Sequence, residues 1–473
     1  MVKRAASRRK AASMQQVMLS APKAVVHLRA QHRRSRLGLI FGSGASKDLG
    51  FPDWPELVNR IGRDESVGAA KILARLMKKK PKAAPKSLAS ITHILFDHFR
   101  LRQMHKRGLS GSLTFLDEQQ IKSDWLKAIH RQLYQGVNAK RRKKTIEDHP
   151  YLTAFRDIIK RSPLTVNYNF DDTLEKLLIH SRTEDEEIRT RGYEVTDKPN
   201  AQFQNDSSVV YHPNGYLPSS FADGASAEVV FSSDAFQDQL ISAANGKYLH
   251  LSNHLFRNTC LLIGLSLDDT TLQSLLRQNA VTNPGHVHYI VHFLPKKDEL
   301  DEVTRQEIFR TNFTSYNLYT LFLTADGIRT LANLVSMPEG SFQLQFPNVT
   351  RKFVYYVVGS IGAGKTTAAS NFRNLITYDE WIDERLPELA KPQKQVARNK
   401  IGPMDKWIAE QFRKKNFALR GAREGVHIVD RCPLDPLTFP GSRSTKATRL
   451  LKKITEGGTF SIEKGHVIYL DCE

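Results

Sequence analysis

Apolar residues along this chain gather into short runs, separated by longer stretches in which they recur at helical spacing. Leu37–Phe41 is one such run, and it ends in Gly42-Ser43-Gly44-Ala45-Ser46; others lie at residues 164–168, 209–211, 260–263 and 287–293. Short apolar runs bounded by turn residues read as buried strands, and their alternation with helix-compatible stretches predicts a parallel α/β sheet. Residues from about 60 to 150 alternate helical stretches with lysine-rich loops, which predicts a helical insertion after the first strand. Residues 337–347 carry Pro, Gly and Ser, and a new apolar run, 353–358, leads directly into another glycine loop. The expected organisation is a basic arm over residues 1–36, an α/β domain over 37–336, a linker over 337–350 and a second α/β domain over 351–473. No internal repeat is found.

The first glycine loop follows a strand, a placement that lets backbone approach a pyrophosphate closely. Three further segments fall in order near later strand ends: YNFDDTLE at residues 168–175, VYHPNGYLP at 210–218 and IGLSLDDTTLQSLL at 263–276. In open parallel sheets ligands bind at such ends.

With GSGASKDLGFPDWPEL at residues 42–57, these segments resemble the motifs of the Sir2-like family, over about residues 35–335. The resemblance is to the Sir2-like domains of bacterial antiviral defence proteins more than to sirtuin deacylases, which carry a four-cysteine zinc ribbon. This chain has three cysteines, Cys260, Cys432 and Cys472, and no CxxC pair. The resemblance implies a Rossmann-like sheet that hydrolyses NAD to nicotinamide and ADP-ribose, depleting NAD when a phage-derived trigger is sensed. It also implies a homo-oligomer.

Breaking the nicotinamide–ribose bond passes through an oxocarbenium-like sugar with a neutral leaving group, so a site needs to position water and stabilise ribose more than to supply a strong acid. The resemblance assigns Asn169 to the ribose hydroxyls and the attacking water, and His212 to general base, since imidazole titrates near neutrality. Asp171 would orient Asn169 or face the developing positive charge. Gly42, Ser43, Gly44, Ala45 and Ser46 would cradle the pyrophosphate, with Gly264, Ser266 and Asp269 along the adenosine half. Asn167, two residues before Asn169, is the alternative catalytic amide. In sirtuins the histidine stands immediately before the glycine, a place held here by Asn214.

Residues 359–366 read Gly359-Ser360-Ile361-Gly362-Ala363-Gly364-Lys365-Thr366, a complete GxxxxGK[ST] loop between a strand and a helix expected over 367–375. This is the pattern of a P-loop NTPase domain, in which backbone amides wrap phosphates, Lys365 reaches the β and γ oxygens and Thr366 ligates magnesium. Thr367 follows at the start of that helix. A second apolar run, 426–429, ends in Asp430-Arg431, and HIVDRCPLDPLTF resembles the Asp/Glu-Arg-Ser region of deoxynucleoside and nucleoside monophosphate kinases. That resemblance makes Asp430 a Walker B carboxylate or a base and places Arg431 on phosphate. In those kinases a lid helix and another strand follow, whereas the sequence stops at Glu473; the expectation is a fragment or a domain reduced to binding ATP or another nucleoside triphosphate with Mg.

Composition changes the picture in one respect. The 473 residues have ordinary hydrophobic (40%) and charged (25%) content, but a net charge of +21. Residues 1–36 hold ten Lys or Arg and no acid, and basic runs follow at Lys78, Lys79, Lys80, Lys82 and Lys86 and at residues 140–144. These read as a mobile arm and solvated loops, or as a surface for nucleic acid. No apolar run reaches the roughly 20 residues of a membrane span, and the few scattered cysteines fit a reducing cytoplasm. The expectation is thus a cytoplasmic NAD hydrolase of anti-phage defence, regulated through a nucleotide-binding domain. A nucleotide kinase with a Sir2-like sensor and a basic nucleic-acid-binding regulator are the alternatives.

Overall fold

The computed structural model describes residues 14–77, 87–109, 113–137, 146–179, 193–198, 208–222, 224–295, 300–360, 362–372, 374–390, 395–433, 435 and 462–471. The basic runs at 78–86 and 140–144 lie outside the described residues, as do residues 1–13 of the arm, Ile361 and Cys472. The chain divides into two compact units. One is built mainly on Gln31–Thr282 and Val287–Met337, the other on Met18–Ala30, Asn283–His286 and Pro338–Glu473.

The first unit is a seven-stranded parallel sheet of β1 (Leu37–Phe41), β2 (Thr165–Asn167), β3 (Tyr193–Thr196), β4 (Ser208–Tyr211), β5 (Thr259–Ile263), β6 (His288–Phe293) and β7 (Leu318–Leu323). Their spatial order is β3-β4-β2-β1-β5-β6-β7. Every residue of β1 and β5 is buried, as expected of central strands covered by helices on both faces. Ile40, Val166, Tyr211 and Leu262 meet Leu272 and Leu276 in the core. After β1 the chain runs to one side of the sheet, and it returns to place β5 on the other. The reversal opens a crevice at the C-terminal ends of β1 and β5.

Between β1 and β2 lie the helices Trp54–Arg63, Ala70–Met77, Leu88–Lys106 and Phe115–Leu133. Local chemistry starts them. Asp53 accepts the Glu56 amide at 3.0 Å with a proline in the first turn, and Thr114 and Asp117 form a reciprocal capping box. Trp125 ties two of these helices together through Phe96 and Phe99, at 5.5 and 5.3 Å between ring centroids.

The second unit holds a four-stranded parallel sheet of β8 (Lys352–Gly359), β9 (Ile376–Tyr378), β10 (Gly425–Asp430) and β11 (His466–Leu470), in the order β11-β8-β10-β9. Val354, Tyr356, Leu419 and Val429 form one side of its core.

Three expectations need correction. Within the supposed mobile arm, residues 14–20 and Pro22–Arg33 are helical, with Val25, Val26 and Leu28 fully buried. The Arg29 guanidinium lies 3.8 Å from the centre of the Phe342 ring and 3.4 Å from both Glu424 and Glu339. The charge count concealed an apolar stripe, and the arginine taken as solvated is buried between carboxylates. The supposed linker contains the helix Glu339–Gln345, whose Phe342 is fully buried. The helix after the second glycine loop is shorter and earlier than expected, Lys365–Ser370. Among the described residues, no helix is long and apolar enough to cross a membrane.

Candidate active site

The two glycine loops of the first unit are pressed against each other. Gly42 N donates to Ile263 O at 2.9 Å and Gly44 N to Gly264 O at 3.0 Å, while the amides of Ala45 and Ser46 turn back on Gly42 O and Ser43 O. The backbone after β1 therefore forms two short 3₁₀ turns, Ser43–Ala45 and Lys47–Leu49. This corrects the phosphate cradle read from the sequence: the amides of Gly42, Gly44, Ala45 and Ser46 are all taken by carbonyls, and Ala45 and Ser46 are buried. The glycines are there for close approach. Gly264 sits at φ +69°, and a Cβ on it would come within 2.5 Å of the Ala45 nitrogen. Gly264→Ala is expected to destabilise the unit by about 1–3 kcal/mol, a strained left-handed residue plus a backbone clash; a urea melt reads the loss.

The contact between the loops places Asn169. Its Nδ2 donates to Gly42 O and to Ser46 Oγ, both at 3.0 Å, and Ser46 Oγ donates on to Asp171 Oδ1 at 3.4 Å. Asp171 also accepts the Thr173 amide at 3.0 Å. Asp171 thus reaches Asn169 through Ser46. Asn167 is buried behind, where its Oδ1 accepts the Asn169 amide at 3.1 Å. Of the two asparagines, Asn169 lines the cleft and Asn167 shapes its turn.

His212 departs from its expected place. It is fully buried and absent from the cleft lining. Nδ1 donates to Asn169 O at 2.8 Å and Nε2 to Glu175 Oε1 at 2.9 Å. Two acceptors on two ring nitrogens call for the imidazolium. Burial opposes that charge, but the adjacent Glu175 carboxylate and its hydrogen bond outweigh it and raise the pKa above the usual histidine value. The general-base assignment is corrected on this ground: the ring has no free nitrogen and positions the Asn169 backbone instead. The residue that reaches the cleft is Asn214. Its Nδ2 donates to Asp269 Oδ2 at 3.3 Å, and its Oδ1 accepts from Gln239 Nε2 at 3.1 Å.

The space in the cleft and at its mouth, open solvent included, is about 840 Å³. Gly42, Ser43, Asn169, Asp171, Gly264, Ser266 and Asp269 line it together. An aromatic wall of Phe51, Trp54, Tyr168, Phe231 and Phe236 joins them, with Trp54 5.3 Å from Phe236 and 6.0 Å from Phe231 between ring centroids. Trp54 Nε1 and the Tyr168 hydroxyl are buried with no hydrogen-bond partner. Phe51 and Trp54 stood within the FPDW segment, whereas nothing in the local sequence pointed to Phe231 or Phe236. Burial raises the Asp269 carboxyl above its ordinary value.

In the second unit, β8 leads through Gly359, Gly362 and Gly364 into the helix starting at Lys365. All three glycines have positive φ, +150°, +89° and +76°. Thr366 Oγ1 donates to Asp430 Oδ2 at 2.6 Å, joining the loop to the end of β10. Asp430 is fully buried and its Oδ1 has no hydrogen-bond partner. Lys365 Nζ folds onto Ser360 O, and Thr367 lies in the first turn of the helix. Arg431, at φ +68°, donates from Nε to Glu380 Oε1 at 2.7 Å. Lys415, fully buried, donates to the backbone oxygens of Glu380 and Asp430 and so ties the ends of β9 and β10; burial lowers its pKa to about 8. Sequence reasoning missed Lys415 and Glu380, which belong to no motif.

Residues 163–321 match the family model of a SIR2-like domain. The match runs from the start of β2 into β7 and takes in Asn169, Asp171, Asn214 and the Gly264 loop, while the first glycine loop precedes it. SIR2-like domains act on NAD. No curated protein matches the chain.

Proposed function

We propose that the first unit hydrolyses NAD to nicotinamide and ADP-ribose. The observation that carries this reading is the pinned amide of Asn169, held by Gly42 O and Ser46 Oγ on the wall of a cleft at the sheet's switch point. With Nδ2 committed, the Asn169 Oδ1 is the atom left to accept from a ribose hydroxyl or from water. Asp171 fixes this arrangement through Ser46. The aromatic wall stacks against a flat ring and keeps bulk water off the sugar. The unpartnered Trp54 Nε1 and Tyr168 hydroxyl suit a ligand with polar edges, such as a nicotinamide or an adenine. Ser43, Gly264 and Ser266 are the lining positions left to meet the phosphates and the remaining ribose.

In the same proposal the second unit binds a nucleoside triphosphate and gates the first. Support comes from the complete glycine loop, the sheet order, in which β8 lies between β10 and β11, and the Thr366–Asp430 contact. The orphaned Asp430 Oδ1 fits a hard divalent cation, so Thr366 and Asp430 would hold Mg, which when bound supplies charge neutralisation at the phosphates. Gly359, Gly362, Gly364, Lys365 and Thr367 would surround the phosphates, and Arg431 would contact them. Anti-phage defence, a phage-derived trigger, a cytoplasmic setting and homo-oligomerisation extend this reading.

One observation favours a second reading, in which the first unit senses NAD without cleaving it: among the described residues no imidazole lines the cleft, because His212 is sequestered. The test is release of nicotinamide from NAD by the purified chain, with and without ATP and Mg. The proposal expects release that changes with ATP, and expects Lys365→Ala to remove the ATP effect while leaving basal release within about twofold. Binding of NAD without release under every condition would select the sensor.

A further inference from the structure

The place where the Sir2-like resemblance expects imidazole holds an amide, and that amide is tied to a carboxylate of the cleft. Asn214 occupies the place before Gly215, and its side chain is fixed at both ends: Gln239 holds Oδ1 at 3.1 Å, and Asp269 accepts from Nδ2 at 3.3 Å. Gln239 is itself fixed. It donates to Pro213 O at 2.9 Å and accepts from the Thr271 hydroxyl at 2.9 Å. The orientation of Asn214 is therefore set by residues on two other segments. Its consequence is that an amide N–H from the β4 side is directed at a carboxylate from the β5 side, and both residues line the cleft.

We propose that Asp269, in place of the adenosine contact expected of it, is the catalytic base of this cleft, with Asn214 as its positioning residue. The inference rests on the NAD-hydrolysis reading above. In the step, the bond between C1′ and nicotinamide breaks with its electron pair passing to the ring nitrogen, so nicotinamide leaves neutral. The oxygen of water forms the new bond to C1′, and its proton passes to the Asp269 carboxylate and on to solvent.

Of the carboxylates lining the cleft, Asp171 is buried and Asp268 is exposed, whereas Asp269 keeps part of its surface open to the cleft while accepting from Asn214 and Leu272. Tyr168 and Tyr248 lie near Asp269, and burial and its charge keep both phenols protonated well into the alkaline range. Asp269 is largely withdrawn from solvent, which makes it a stronger base than an ordinary carboxylate. Its Oδ1 also caps the following helix by accepting the Leu272 amide at 2.8 Å, which fixes the carboxyl plane.

The experiment compares wild type with Asp269→Asn, chosen because asparagine keeps the helix-capping acceptor. Nicotinamide release is followed across pH, and NAD binding is measured by calorimetry. The expected result is a fall in kcat of about 100-fold with NAD affinity within about threefold. The wild-type rate should also rise with pH through the elevated carboxyl value, and this acid limb should be absent from the variant's residual rate. An active wild type with Asp269→Asn within threefold, or with the acid limb intact in the variant, overturns the base assignment and leaves NAD hydrolysis standing. A flat wild-type profile does the same without recourse to the variant. A wild type that binds NAD and releases no nicotinamide overturns the hydrolase reading, and the base assignment with it.

Discussion

Asn169→Ala is expected to lower nicotinamide release by about 10²–10³ in kcat, the cost of removing one fixed polar group from the place where charge develops. The substitution takes away the acceptor aimed at ribose or water. It also leaves Ser46 Oγ without its donor and Gly42 O without one of its bonds. Alanine introduces no clash, and the His212 bond to residue 169 uses the backbone oxygen, which the variant keeps. The fold should therefore survive, with a thermal midpoint within a few degrees of wild type. NAD affinity should weaken less than turnover, because the aromatic wall is untouched. Loss of kcat with retained binding places Asn169 at the reacting centre; equal loss of both would make it a binding contact.

His212→Ala should behave in the opposite way, as a stability variant. It removes the cation from a fully buried ion pair and strands Glu175, whose second oxygen is already without a partner. Breaking one side of such a pair costs about 3–5 kcal/mol. Replacing both sides, His212→Leu with Glu175→Leu, should recover much of the loss, since an apolar pair leaves no buried charge. The pH dependence follows from the direction of the shift. The native pKa lies above the unfolded value of about 6.5, so the pair's contribution is complete below about pH 6.5 and is lost as pH rises through the raised native value. Denaturant midpoints measured from pH 6 to 9 should fall in wild type and be flatter in the double-leucine variant. A free general base would instead leave stability unchanged and remove an acid limb from the rate.

The strands that position the cleft were legible because they are buried on both faces and so read as continuous apolar runs. β1, β5 and β6 are of this kind. β3 and β9 were not, since each is three or four residues long and half-exposed, and so carries no run to see. β7 was overlooked although Leu318–Leu323 is apolar, because it follows a helix that buries almost nothing. In the site, residue types were readable and roles were not. The GSGAS segment carries the composition of a phosphate loop, but whether its amides are free depends on Gly264, more than two hundred residues away. The same holds for His212: one histidine near a strand end looks catalytic until Glu175 is found against it. The arm failed for a different reason, in that counting charges hid Met14, Val17, Val25, Val26 and Leu28 beneath them.

The register of β1 has a kinetic consequence. Leu39 pairs with Thr165 and Leu37 with Thr259, so the central strand gains its two neighbours only from distant chain. Closing such long loops is slow, and little rewards the first closure until the second is made. During synthesis Asn169 leaves the ribosome well before β5 exists, and a nascent chain at that stage carries it without the Gly264 contact between the loops that places it. The cleft wall is then assembled only when the first unit is nearly whole.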